Sequence, residues 1–203
     1  LALADGSGQS GRAPELSLSW YQAGYKGAYH NAAWGRDLNY WGWVTKVVSA
    51  FRDSPAVAIW EIMNEPGSTV NGLTPDIIKS FYDTVAAHIK HIDSDHLVST
   101  GALSPADPFQ EDVSGYTWVH SGPDIDLVSV HEYDYPYSTG TMLGSQWIDM
   151  AAQAARALNK PVYVGETGIS LANGCMSAAQ RAQVLREKFD LYLGAGASGV
   201  LYW

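Results

Sequence analysis

The feature that most constrains the fold of this chain is a regular alternation between short apolar segments and longer amphipathic ones. The short segments are apolar on both faces, as in "AVAIWEIM". The longer segments repeat apolar residues at helical spacing, as in "TPDIIKSFYDTVAAHIKHID". Strands that are apolar on both faces and alternate with helices predict a parallel sheet covered by helices.

This pattern predicts the elements of one domain covering residues 1–203, since no repeat and no linker interrupts it. Strands are predicted over residues 1–5, 54–64, 96–102, 124–133, 160–166 and 198–203. Helices are predicted over residues 37–52, 74–93, 145–159 and 177–196, with Asp37 and Thr74 as the first two N-caps. The crossover between the strands at 96–102 and 124–133 shows no clear helical pattern, and we expect it to be irregular.

Two architectures satisfy this order of elements: an open doubly wound sheet and a (β/α)8 barrel. An open sheet that binds a nucleotide usually carries a glycine-rich turn leading directly into a helix. The segment "DGSGQSG" contains the glycines but leads into a long loop. We therefore interpret it as a loop, and nucleotide binding is the remote alternative.

Composition narrows the class of partner. The chain has 203 residues, 46% of them hydrophobic and only 16% charged, as expected of a folded domain with a core. Its net charge of −9 disfavours nucleic acid and anionic membranes as partners, and no apolar segment is long enough to span a bilayer. Neutral ligands such as sugars remain. The single cysteine, Cys175, cannot form an internal disulfide.

Polar and aromatic residues stand where several predicted strands end. Because parallel strands end at the same edge of a sheet, these residues are expected to face one opening. They are Asn64 and Glu65, then His131 and Tyr133, then Glu166, and finally Trp203.

The two carboxylates in this set, Glu65 and Glu166, indicate a specific chemistry. A carboxylate that ends an apolar strand is costly unless it is solvated or paired. Glycoside hydrolysis needs two carboxyl groups facing each other across the scissile bond, one to protonate the leaving oxygen and one to attack the anomeric carbon. In this interpretation Asn64 bonds a sugar hydroxyl, Tyr133 donates a hydrogen bond to the nucleophile, and Trp203 offers a flat face to a pyranose ring.

The sequence resembles the clan A glycoside hydrolases, and in particular glycoside hydrolase family 5, the cellulase and mannanase group. The resemblance rests on "WEIMNEP", "VSVHEY", "VYVGETG" and "GVLYW", which match the ends of the fourth, sixth, seventh and eighth barrel strands. It implies a (β/α)8 barrel with retaining chemistry and no cofactor or metal. It also implies that Glu65 is the acid/base, that Glu166 is the nucleophile, and that Asn64, His131, Tyr133 and Trp203 support them.

The same resemblance predicts that the chain is a partial barrel. The segments match about strands 3 to 8, so we expect a domain truncated at both ends, without the arginine that the family carries after its second strand. The expected activity is endo-acting hydrolysis of a β-1,4-linked glucan or mannan, by a secreted enzyme. The missing arginine keeps a second hypothesis open: a barrel that binds sugars without turnover, or an inactive fragment. A barrel hydrolase that uses a metal is the third hypothesis.

The long loop before the first predicted helix is rich in aromatic residues. Long loops with several aromatics usually either bind a ligand or pack down on the core. Trp20 and Trp34 are the candidates for sugar stacking in this loop, with self-packing as the alternative. Tyr135 and Tyr137 are expected at the same rim, whereas Trp147 fits either the rim or the core.

Overall fold

A computed structural model of the protein describes residues 1–4, 17–27, 38–67, 70–105, 109, 112–133, 146–169 and 177–203. The strands are β1 (Ile59–Glu61), β2 (Leu97–Ser99), β3 (Val128–Glu132), β4 (Val162–Thr167) and β5 (Ala197–Tyr202). The helices are α1 (Leu18–Gln22), α2 (Tyr40–Phe51), α3 (Pro75–Ile92), α4 (Val113–Val119), α5 (Gln146–Leu158) and α6 (Ala178–Ala195), with a 3-10 turn at Gly24–Lys26. None of the described helices is both long enough and apolar enough to cross a membrane.

The described strands run parallel, and their order in space follows their order in the chain. β1 pairs with β2, and β3, β4 and β5 pair in turn. A bridge from Ser99 to Leu127 links β2 to the segment entering β3, and another from Ala2 to Glu61 adds the N-terminal segment beside β1. A doubly wound sheet would reverse its order at a switch point. The fold is therefore a partial (β/α)8 barrel, as predicted.

The helix boundaries follow from local capping signals. Thr74 caps α3, as predicted, because its side chain accepts a hydrogen bond from the backbone N–H of Ile77. Ser177 and Gln180 form a capping box at the start of α6. At α2 the cap is Asn39, whose Oδ1 accepts the N–H of Gly42 at 2.7 Å. The predicted cap, Asp37, lies outside the described residues.

The crossover between β2 and β3 differs from the prediction, because it contains the short helix α4. Asp112 caps this helix by accepting the N–H of Ser114. Its inward face consists of Gly115, Tyr116 and Val119, which are buried. A helix of seven residues with a glycine on its packing face leaves almost no periodic apolar signal, and for that reason the sequence pattern missed it.

The aromatic residues that precede α2 are part of the core. Trp20 is only 4% exposed, and its ring lies 5.5 Å from that of Tyr40 and 5.6 Å from that of Phe81, measured between centroids. Tyr21 and Tyr25 are buried in the same cluster. Such edge-to-face and tilted packing stabilises a core but leaves no ring face open to a ligand. The expectation that Trp20 stacks on a sugar is therefore wrong.

The other residues singled out in the sequence are either packed against the core or outside the described residues. Trp147 is partly buried and packs against the core, so its ambiguity is resolved in favour of the core. Trp34, Tyr135, Tyr137 and Cys175 lie outside the described residues. The substrate-binding role predicted for Trp34 stays a prediction.

Candidate active site

Glu65 follows β1 in an uncommon backbone conformation. Its φ angle is 47°, in the left-handed region that residues other than glycine seldom occupy. Its N–H donates to the carbonyl of Gly101 at 2.8 Å, and the residue is only 7% exposed. Strained backbone of this kind persists where the surroundings hold it, and it is concentrated at functional sites. The chain thus fixes the direction in which this carboxylate points.

Gly101 follows β2, and its carbonyl accepts the hydrogen bond from the Glu65 amide. No residue with a side chain fits at position 101. Its φ angle is +73°, and a Cβ added there would lie 2.0 Å from the carbonyl oxygen of Met63. The ends of β1 and β2 therefore approach each other more closely than a side chain allows. This close approach puts the Gly101 carbonyl within hydrogen-bonding distance of the Glu65 amide.

Glu166 lies near the end of β4, with its side chain 20% exposed. The hydroxyl of Tyr133 donates a hydrogen bond to Glu166 Oε2 at 2.6 Å. Burial raises the pKa of Tyr133, and the hydrogen bond and the negative charge of Glu166 raise it further, so the hydroxyl stays protonated. A short hydrogen bond to a carboxylate is charge-assisted and favours its ionised form. The hydrogen bond from Tyr133 thus fixes one oxygen of Glu166 in place.

His131 lies between the two carboxylates. Its Nδ1 is hydrogen-bonded to Glu65 Oε1 at 2.8 Å and lies 3.7 Å from Glu166 Oε2. The ring is 2% exposed. Burial lowers the pKa of His131, but the hydrogen bond to Glu65 and the charges of Glu166, Glu61 and Glu65 outweigh burial and raise the pKa above its ordinary value. A proton on this ring therefore reduces the repulsion between the two carboxylates.

The separation of the two carboxylates is the central dimension of the site. One oxygen of Glu65, one oxygen of Glu166 and one ring nitrogen of His131 all lie within 4.8 Å of one another. A histidine and two carboxylates are also a donor set that a divalent metal accepts. His131 Nδ1 is engaged with Glu65 and Glu166 Oε2 with Tyr133, whereas His131 Nε2 has no hydrogen-bond partner among the described residues.

Trp203 and Asn64 lie on either side of this pair in the chain. The backbone N–H of Trp203 donates to the carbonyl of Thr167 at 2.8 Å, which holds it next to Glu166, and the residue is 76% exposed. Asn64 directly precedes Glu65, and its N–H donates to the carbonyl of Ala4 at 2.8 Å. The backbone of Trp203 is thus tied to the end of β4, and that of Asn64 to the N-terminal segment.

Most of the predicted site residues are described, and they come to one edge. Glu65 and His131 form one hydrogen-bonded pair and Tyr133 and Glu166 another, and His131 Nδ1 lies 3.7 Å from Glu166 Oε2. Trp20 is excluded by its burial. Sequence reasoning missed Gly101 and Gly165, whose roles depend on close packing. It also missed Glu61, although a carboxylate within an apolar strand is a signal of a buried polar partner.

Gly165, on β4, packs against the imidazole ring of His131. A Cβ added there would lie 3.0 Å from His131 Nε2 and 3.4 Å from Tyr163 Cε2. The imidazole therefore packs on bare backbone. A side chain at position 165 would press on the ring that is hydrogen-bonded to Glu65.

Residues 18–199 match Cellulase, the glycosyl hydrolase family 5. A probable mannan endo-1,4-β-mannosidase A-2 from Aspergillus terreus is 29% identical over 173 residues, covering 81% of this chain and 41% of its own length. Mannan endo-1,4-β-mannosidase 1 from Oryza sativa subsp. japonica is 31% identical over 180 residues, covering 76% of this chain and 41% of its own. This chain spans less than half the length of these relatives.

Solved structures share the fold. The endo-1,4-β-mannanase from Rhizomucor miehei superposes with a TM-score of 0.63 at 20% identity, covering 92% of this chain and 58% of its own. That from Thermotoga petrophila gives 0.59 at 20% identity, covering 92% and 45%. These likenesses support the (β/α)8 barrel. Because the family match extends over most of the chain, and its strands carry the motifs in barrel order, the chain belongs to glycosyl hydrolase family 5.

Proposed function

We propose that the protein is a retaining, endo-acting glycoside hydrolase that cleaves β-1,4-linked mannan. The observation that carries the proposal is the short separation of two carboxylate oxygens, within 4.8 Å, at the end of a barrel. Retaining glycosidases hold their carboxyl groups about 5–5.5 Å apart, whereas inverting enzymes leave about 6.5–9.5 Å for a water molecule. The separation supports direct attack by a carboxylate.

In the first step, Glu166 attacks the anomeric carbon while Glu65 protonates the departing glycosidic oxygen. The bond from the anomeric carbon to the leaving oxygen breaks as a bond to Glu166 forms. The Tyr133 hydroxyl, 2.6 Å from Glu166 Oε2, supports this role because it stabilises the ionised carboxylate before the attack. Asn64 and Trp203 are proposed to position the sugar, by a hydrogen bond and by stacking.

In the second step, Glu65 acts as a base. Having given up its proton, it accepts one from a water molecule, which attacks the anomeric carbon and releases Glu166. His131 Nδ1, 2.8 Å from Glu65 Oε1, supports this role because it holds the carboxyl group in position. The site thus serves both halves of a double displacement without a cofactor.

Mannan is proposed over glucan because similar proteins from Aspergillus terreus and Oryza sativa carry the name mannan endo-1,4-β-mannosidase. The test is the rate of reducing-end release from soluble β-1,4-mannan and from a soluble cellulose derivative at equal concentration. A higher kcat/KM on the cellulose derivative would replace mannan by glucan. A polysaccharide does not enter a cell intact, so we also propose that the protein acts after secretion, which its recovery from the culture medium would test.

The roles of the carboxylates are tested with azide. Glu166→Ala should abolish turnover, and with an activated aryl β-mannoside azide should yield the inverted glycosyl azide. Glu65→Ala should slow poor leaving groups most, because they depend on protonation. Glu187→Ala is the matched control: this carboxylate lies on α6, exposed, and should leave turnover unchanged.

Two outcomes would point to the other hypotheses. Binding of mannan without release of product by the wild-type protein would favour a non-catalytic sugar-binding barrel. Loss of activity in excess chelator, restored by a divalent metal, would favour the metal-dependent mechanism and contradict the roles of Glu65 as acid/base and Glu166 as nucleophile.

A further inference from the structure

A polar layer lies inside the barrel beneath the two carboxylates. The interior layers of such barrels are usually filled by branched apolar side chains. In this barrel the hydroxyl of Tyr163, on β4, lies 2.9 Å from Glu61 Oε2 on β1 and 2.9 Å from Ser99 Oγ on β2. We call this group of Glu61, Ser99 and Tyr163 the cross-barrel bridge.

The cross-barrel bridge joins strands that are not neighbours in the sheet. β2 and β3 lie between β1 and β4, so the Tyr163 side chain crosses the interior to reach Glu61. One end of the bridge lies on β4, which carries Glu166, and the other lies on β1, which leads to Glu65. Glu61 is the last residue of β1 and lies shortly before Glu65 in the chain, and Tyr163 precedes Glu166 on β4.

We propose that the cross-barrel bridge is a positioning device that fixes the separation between Glu65 and Glu166. The inference rests on the proposed function, since the spacing matters only if the two carboxylates react in sequence. Direct hydrogen bonds between the two strands hold their ends at a set distance. The alternative route, through β2 and β3, passes several backbone pairings, among them a register shift between Val130 and His131.

The packing around Glu61 supports a fixed bridge. A Cβ at position 101 would lie 2.7 Å from Glu61 Cγ, so the absence of a side chain at Gly101 makes room for this carboxyl. Burial raises the pKa of Glu61, and Tyr163 is 6% exposed. The hydrogen bond to Ser99 is buried and that to Glu61 is partly buried, and hydrogen bonds are electrostatically stronger in such surroundings than in water.

The test is the substitution Tyr163→Phe, which removes both hydrogen bonds but keeps the ring. A displacement of reacting groups by about 1 Å lowers rates by about 100-fold, so kcat should fall between about 10- and 100-fold. KM should stay within about twofold, because the bridge lies below the surface that contacts substrate. Glu61→Gln retains an acceptor for the Tyr163 hydroxyl and should keep most of the wild-type kcat.

Tyr116→Phe is the matched control. Tyr116 is also fully buried, and its hydroxyl donates to the backbone carbonyl of Ser129, on β3. This hydrogen bond joins α4 to one strand and connects neither Glu65 nor Glu166 to the other. Its loss should lower the melting temperature as much as Tyr163→Phe does, with kcat within about threefold of the wild-type value.

Two measurements decide the inference: kcat, and the separation of the two carboxylates in crystal structures. A fall in kcat specific to Tyr163→Phe supports it, whereas equal kcat values for the two phenylalanine variants overturn it. An inactive wild-type protein would refute the proposed function but not the bridge, because crystal structures measure the spacing directly. An increase of about 0.5 Å or more between the two carboxylates in Tyr163→Phe supports the bridge, and an unchanged separation overturns it.

Discussion

Replacing Gly101 with alanine puts a methyl group where the end of β1 already lies. The new Cβ would be 2.0 Å from the carbonyl oxygen of Met63 and 2.7 Å from Glu61 Cγ. Carbon and oxygen atoms rarely approach closer than about 3.3 Å, so β1 and β2 would have to separate by more than about 1 Å. The Gly101 carbonyl accepts the Glu65 amide, and the same displacement would therefore move the proposed acid/base.

The cost has two parts. An L-residue held at a φ angle of +73° loses about 1–2 kcal/mol, and overpacking at a well-filled site costs about 1–3 kcal/mol more. Together these lower the free energy of unfolding by about 2–5 kcal/mol, which for a chain of this size lowers the melting temperature by on the order of 10 °C. A shift of about 1 Å at Glu65 lowers kcat by about 100-fold.

The assay compares Gly101→Ala with Gly194→Ala by thermal unfolding and by steady-state kinetics on mannan. Gly194 lies in α6, where an added Cβ meets no atom within 4 Å. Alanine is favoured over glycine in a helix by about 0.5–1 kcal/mol, so this variant should be as stable as the wild-type protein or more so. Wild-type kcat and melting temperature in Gly101→Ala would show that this position does not hold Glu65.

Three further predictions concern other groups. Tyr133→Phe removes a charge-assisted hydrogen bond of 2.6 Å to Glu166, which contributes about 1.5–3 kcal/mol, so kcat/KM should fall by about 10- to 150-fold; an unchanged value would remove Tyr133 from the mechanism. His120 is fully buried, and burial lowers its pKa to about 4. The unfolded chain therefore takes up this proton first as the pH falls below about 6.5, and stability should drop by about 1.4 kcal/mol per pH unit towards pH 4. Denaturant unfolding should show a flatter profile for His120→Gln, and parallel profiles would contradict the assignment. Gly165→Ala puts a methyl group 3.0 Å from His131 Nε2 and should lower kcat by at least about 10-fold with little change in melting temperature; wild-type kcat would show that the imidazole can shift freely.

The site residues at the strand ends were predictable because the signal is local. An apolar strand that ends in Asn64 and Glu65 places both at one edge, and Glu166 reaches the same edge because the strands are parallel. The cap of α3 at Thr74 was equally local. At each of these positions, a few consecutive residues determine where the strand or helix ends and which side chain stands there.

The errors arose where distant residues decide. The sequence around Trp20 suits a sugar-binding loop and a packed loop equally, and contacts with α2 and α3 decide for the core. Glu61 accepts a hydrogen bond from Tyr163, which is 102 residues away in the chain, so no local pattern indicates its role. The roles of Gly101 and Gly165 depend on how closely two segments approach, and a one-dimensional pattern contains no such distance.

The left-handed backbone conformation of Glu65 implies a trade-off between the stability of the fold and the proposed activity. At a φ angle of 47° the conformational free energy of glycine or asparagine is lower than that of glutamate, by about 1 kcal/mol or more. A library screened only for survival after heating should therefore enrich Glu65→Gly and Glu65→Asn, and a variant selected in this way would lack the proposed proton donor.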